Sequence, residues 1–176
     1  MVLIKISFSF LLFFGVELFA DICIVPNILL ETIKITENER RYPFYIRTNE
    51  KIEQFYNIAN RFIYKKTKDK YVIDCLNKDN CSELTKTLIK NNITNLDLGL
   101  FQINYNSFKY PLHSYFDIKK SYINACEIVE EKIKINKGRW NWEVLASYHS
   151  TTPKYNNIYK KKLINNYIKL LTQLQK

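Results

Sequence analysis

Glycine is scarce in this chain, with three among 176 residues. So few leave no glycine-rich loop to wrap a phosphate and few tight turns, which argues against a nucleotide-binding sheet and for helices. Long apolar runs are missing too: beyond the first twenty residues, no stretch is long enough to cross a bilayer. Zinc-site spacing is absent, because His113 and His149 adjoin none of Cys23, Cys75, Cys81 and Cys126, whose intervals are irregular. Acidic residues run short as well, 17 against 27 lysines and arginines, for a formal net charge of +10. That excess suits an acidic polymer as partner, although a lysine-rich solvated surface accounts for much of it.

What is present fits one globular domain. Hydrophobic residues make up 47% and charged residues 25%, with no internal repeat and no linker long enough to divide the chain. An aromatic content of 15% supplies material for both a core and a ring-lined groove. Residues 1–20 read as a signal peptide, with Lys5 in a short basic lead, an apolar run over 6–14 and the small residue Ala20 before an expected cleavage at Asp21. Glu17 is unusual so close to a cleavage point, so an uncleaved anchor helix is the alternative. The mature domain is then 21–176, exported to the periplasm or cell envelope, with no membrane span after cleavage. Its four cysteines are consistent with two disulfides, for which three connectivities exist. The close spacing of Cys75 and Cys81 favours a local loop, leaving Cys23 with Cys126. Export turns the acidic partner away from nucleic acid and towards the carboxylate-bearing peptides of peptidoglycan.

Helical periodicity recurs along the mature chain. Residues 26–38 form a first helix with Leu29, Leu30 and Ile33 as its inner stripe, and Pro26 suits an early helical position. A short strand is expected at 44–48, an amphipathic helix through Ile52, Phe55, Tyr56, Ala59 and Phe62, a charged turn at 65–70 and another short strand at 71–74. Residues 82–90 read as a helix capped by Ser82, with Leu84, Leu88 and Ile89 inward. Residues 91–111 are the least regular. Three helices follow, at 118–135, 141–148 and 155–174, the last with Ile158, Tyr159, Ile164, Ile168 and Leu171 on one side. The fold class is mainly α, of the α+β kind, with a small β-hairpin.

Three features carry chemistry. Glu37 falls four residues after Ile33, itself four after Leu29, so the three share a helix face. A carboxylate on an apolar face, at the C-terminal end of a helix, is desolvated and near the negative pole of the dipole, which disfavours its charged form. Glu31 and Lys34 point elsewhere and are expected to meet solvent. The second feature is the run Asp97, Leu98, Gly99, Leu100, Phe101, Gln102, Ile103, Asn104. Gly99 lets the backbone turn or approach a ligand, and Gln102 and Asn104 share a side, as amides suited to sugar hydroxyls and acetamido groups. Asp97 reads as a cap for that turn. The third is the segment 140–150, where Tyr148 ends an apolar helix and His149 lies between Ser147 and Ser150; no third member of a serine-hydrolase triad is evident.

In this order, the three features resemble the lytic transglycosylase domain related to goose-type lysozyme. Residues 29–38 resemble its first motif, in which a helix ends in the catalytic glutamate, and Pro43, Phe44, Tyr45, Ile46 and Asn49 resemble the continuation. Residues 99–104 resemble the groove motif, and Ala146, Ser147, Tyr148, His149 and Ser150 the third, with Tyr159 as the final tyrosine. The Tyr-His-Ser version is most similar to the enzymes of type IV secretion, conjugation and pilus systems. Two departures stand out: Asn38 occupies a position usually held by serine, and Phe101 one often held by methionine. The resemblance implies a lysozyme-like helical domain acting on peptidoglycan glycan strands without a cofactor or metal, with secretion or pilus components as further partners. Glu37 would be the sole catalytic acid and base; Asn38, Gln102, Asn104, Tyr148 and Tyr159 would hold the sugar or orient the acid. A hydrolytic muramidase on the same fold and a non-catalytic wall-binding factor are the alternatives.

Overall fold

The computed structural model describes residues 23–40 and 42–175; the expected signal peptide, 1–20, lies outside them. The first element, α1 (Asn27–Glu37), starts directly after Pro26, which has φ −53° and no N–H to leave unpaired. Leu29, Leu30 and Ile33 are buried as the helical spacing demands. The helix stops at Asn38, where φ swings to −145°. Glu37 is therefore its last helical residue.

The strands follow: β1 (Tyr45–Thr48), β2 (Lys65–Lys66), β3 (Val72–Asp74), β4 (Leu96–Leu98) and β5 (Ile103–Asn104). They make one antiparallel sheet in the order β2-β3-β1-β4-β5, larger than the expected hairpin. Its edges escaped notice because β2 is two exposed lysines and β5 a single alternation, too short to carry a period-two pattern. The lysines expected in a charged turn pair instead with Ile73 and Asp74. Between β1 and β2 runs α2 (Ile52–Ala59), and between β3 and β4 runs α3 (Lys78–Lys90). Asn77, not Ser82, caps α3 by accepting the Asn80 N–H at 3.0 Å, while Ser82 sits a turn inside and donates to the Lys78 carbonyl.

The remaining helices are α4 (Leu112–Tyr115), α5 (Ile118–Ile135), α6 (Trp142–Ala146) and α7 (Pro153–Leu174). The protein is a mixed α+β fold, about 53% helical. Helix α7 packs on α1 and α6 through Asn156, Tyr159 and Leu163. The expected inner stripe of α7 is displaced: Ile158, Ile168 and Leu171 are exposed, because α7 meets its neighbours along a narrower face that holds an asparagine. Glu31 and Lys34 also depart from expectation. Lys34 is buried and pairs with Glu31 at 2.7 Å, and both bond the Tyr122 hydroxyl of α5. The approach of α5 closes that flank of α1 from water.

Both disulfides form, Cys75–Cys81 and Cys23–Cys126. Cys23–Cys126, with a sequence separation of 103, ties the segment before α1 to the middle of α5. In the chain-entropy picture, a closure of that length restricts the unfolded state by about 5 kcal/mol, against about 2 for the short loop. No helix among the described residues is long and apolar enough to cross a membrane.

Candidate active site

Glu37 stands where α1 ends, with its side chain 12% exposed. Two cavities meet there, of about 650 and 500 Å³, and both are bordered by Glu37, Asn49, Asp97, Gln102 and His149. Helix α7 supplies one wall. From it Tyr159, 4% exposed, directs its hydroxyl towards Glu37; burial first, then the Glu37 charge, pushes that hydroxyl well above the usual tyrosine range. No hydrogen bond of good geometry occupies that oxygen among the described residues, so the carboxylate is the group it faces.

His149 completes this side. Its ring stacks on Tyr159 with centroids 4.7 Å apart and planes 9° from parallel. Its Nδ1 lies 3.6 Å from the Glu37 carboxylate, and the hydrogen bond towards Glu37 raises the imidazole above its ordinary value. Neither neighbouring serine engages the ring: Ser147 Oγ donates to the Val144 carbonyl and Ser150 Oγ accepts from the Thr152 N–H. Tyr148, buried beneath, donates its hydroxyl proton to the Phe101 carbonyl at 3.0 Å. Its influence on Glu37 is therefore one of position and low polarity, not direct donation; burial, then the Glu37 charge, pushes its own hydroxyl up.

The opposite wall is the turn between β4 and β5. Gly99 has φ +71°, and a Cβ there would lie 1.9 Å from the Tyr115 carbonyl oxygen. Only glycine fits. Gln102 also takes a positive φ of 46°, held by its Nε2 donating to the Gly99 carbonyl at 2.7 Å, and borders both cavities. Asn104 borders the smaller cavity, but its groups are already occupied. Its Nδ2 donates to Asn95 and Asp97, and its Oδ1 accepts from the Asn106 and Ser107 N–H groups. It braces the wall rather than offering an amide to a ligand. Asn38 likewise donates to the Tyr42 carbonyl at 2.6 Å, securing the chain where it leaves α1.

All six expected site residues thus border one or both cavities. Two others were undervalued. Asp97 does not cap a turn: it lies in β4 opposite Asn104, with its side chain half-buried beside the cleft. Burial raises its carboxyl most, hydrogen bonds from Asn49 and Asn104 oppose this, and the Glu37 charge adds to it. The signal was the alternation Leu96, Asp97, Leu98, in which the apolar pair faces the core and the acid the other way. His149 had no such signal, because Tyr159 stacks on it from another helix.

The arrangement offers a largely buried carboxyl group at Glu37, a second carboxyl group, Asp97, on the same two cavities, and no lysine or arginine paired with Glu37 among the described residues. The cluster of Cys23, Cys126 and Glu130 has the composition of metal ligands, but its two sulfurs are joined in a disulfide. Comparison with protein-family models, with curated proteins and with solved structures finds no match to this chain.

Proposed function

We propose that this protein is an exported peptidoglycan lytic transglycosylase with a lysozyme-like arrangement of its helices. The observation that carries this reading is Glu37 at the C-terminal end of α1, where two cavities meet and Tyr148, Tyr159 and His149 stand around its largely buried carboxyl group. A glycan strand laid through both cavities crosses the carboxyl group. Glu37 donates its proton to the glycosidic oxygen between N-acetylmuramic acid and N-acetylglucosamine as the C1–O bond breaks. The resulting carboxylate takes the proton of the muramoyl C6 hydroxyl as O6 bonds to C1. The product is a 1,6-anhydro sugar, water is not consumed, and Glu37 ends protonated for the next turnover. General acid–base assistance of this kind contributes on the order of 10²–10⁴-fold. Tyr159 and His149 hold the carboxyl in place, Gln102 meets the sugar, and no cofactor enters. Two disulfides fit export, and the motif resemblance adds opening of the wall for a secretion or pilus system.

One observation favours a second reading. Asp97 borders the same two cavities as Glu37, and a pair of carboxyl groups flanking a sugar is also the equipment of a hydrolase. Mass spectrometry of digested wall decides between them. Anhydro ends from wild type, lost in Glu37→Gln, are the expected result. Reducing ends that carry an added water would replace the transglycosylase by a muramidase, and digestion that survives Glu37→Gln would sink both.

A further inference from the structure

The two cavities that meet at Glu37 differ in charge. Beyond the shared carboxylates of Glu37 and Asp97, the larger carries Arg40, Arg47, Lys68 and Lys162 against Glu39 and Asp69. The smaller has no lysine or arginine on its border among the described residues; asparagines, Gln102, Phe108 and Tyr148 line it. One of the four cations is occupied. Arg47 Nη1 bonds Asp69 Oδ2 at 2.6 Å, and this bond, with the Tyr71 N–H, holds the Asp69 carboxyl below its usual range despite burial. Arg40, Lys68 and Lys162 are exposed at the rim, from the end of α1, the stretch after β2 and the outer flank of α7. Tyr155 and Ile158 stand beside them, both about half exposed and both on the cavity border.

A mainly uncharged sugar chain has no use for such a rim. We propose that the larger cavity is a specificity site for the acidic peptide that substitutes the muramic sugar, while the smaller takes uncharged N-acetylated sugars; this rests on the glycan-cleaving reading above. The chemistry matches part by part. Three mobile cations at the rim meet free peptide carboxylates, while Tyr155 and Ile158 supply apolar surface for the methyl and methylene groups between them. Exposed charges act over about 8 Å at physiological ionic strength, so their pull is felt at the cavity whose border they share. The protein then distinguishes strands whose peptides carry free carboxylates from strands whose peptides are amidated, and sets the polarity of a strand in the cleft.

The test uses the full mature chain with Glu37→Gln, so that substrate is bound and not cut, and measures affinity by calorimetry. The probes are a short peptide-bearing glycan and the same glycan with its peptide carboxylates converted to amides. A preference of about tenfold for the free-carboxylate probe is expected at low salt, falling towards one at high salt, as exposed ion pairs do. Adding Lys68→Glu and Lys162→Glu, both at exposed positions, is expected to bring the ratio to one or below while circular dichroism stays that of the folded protein. Equal binding of the two probes before those substitutions, or an unchanged ratio after them, overturns the specificity site and leaves the enzyme reading standing. Failure to bind either probe, together with no cleavage of wall by wild type, removes both.

Discussion

Helix α1 presents two glutamates in different surroundings, and on the proposed function that difference separates a structural carboxylate from a chemical one. Glu31 has an ammonium at 2.7 Å and a tyrosine hydroxyl of α5 as partners, so it serves to dock α5. Glu37, six residues on, has no ammonium partner among the described residues; tyrosine, histidine and a second carboxylate surround it. Both are shielded, with side chains 24% and 12% exposed, so burial alone does not tell them apart. The partner does. A cation beside a carboxylate holds its charge in place, whereas neutral hydroxyls and a titratable ring leave a proton free to move.

The sharpest way to break this comparison is to remove each acid or its partner in turn. Glu37→Gln is expected to lower glycan cleavage about a thousandfold, within the range for loss of a general acid, with a thermal midpoint close to wild type; released muropeptides measure the first and calorimetry the second. Lys34→Met is expected to do the reverse, costing about 2 kcal/mol in denaturant titration because it strands Glu31 in a shielded site, with kcat close to wild type. If Lys34→Met abolishes turnover in folded protein, the division between the two glutamates is wrong.

Tyr159→Phe sharpens the contrast further. It removes a buried hydroxyl that has no well-formed hydrogen bond, so stability is expected to hold or rise slightly, while kcat falls about tenfold through loss of the group facing Glu37. Lost stability with unchanged kcat would make Tyr159 a packing residue only. The smallest effect concerns His149, whose folded value lies above the ordinary 6.5 because of Glu37. The sign follows: its contribution is fully present below about pH 6.5 and is lost as pH rises through the folded value. His149→Gln is therefore expected to lower stability relative to wild type at pH 5.5 and hardly at all at pH 9. The ring is half exposed, so the difference stays below about 1 kcal/mol.

Legibility in the sequence followed the range of the forces involved. The bounds of α5 could be read, and those of α1 to within one residue at each end, because 3.6-residue periodicity is local. The turn at Gly99 could be read for the same reason, since a lone glycine between apolar residues marks a conformation others resist. Strands β2 and β5 could not, because two-residue strands exist only through their partners. The inner face of α7 differs from the apolar stripe because Ile158, Ile168 and Leu171 stay exposed while Asn156, Tyr159 and Leu163 are buried. Asp97 was partly legible, as the polar member of an alternating strand.

By itself, then, the sequence determined that α1 is amphipathic, that it ends in an acid, and that a glycine turn followed by amides stands later in the chain. Those are properties of neighbouring residues and need no tertiary contact. Only the tertiary structure decided that Tyr122 of α5 closes over the Lys34–Glu31 pair, that His149 stacks on Tyr159 beside the acid, and that Asp97 faces the same cleft. Glu37, Asp97, His149 and Tyr159 come from separate parts of the chain, and nothing in a local pattern encodes which groups the folding of helices and sheet will bring together.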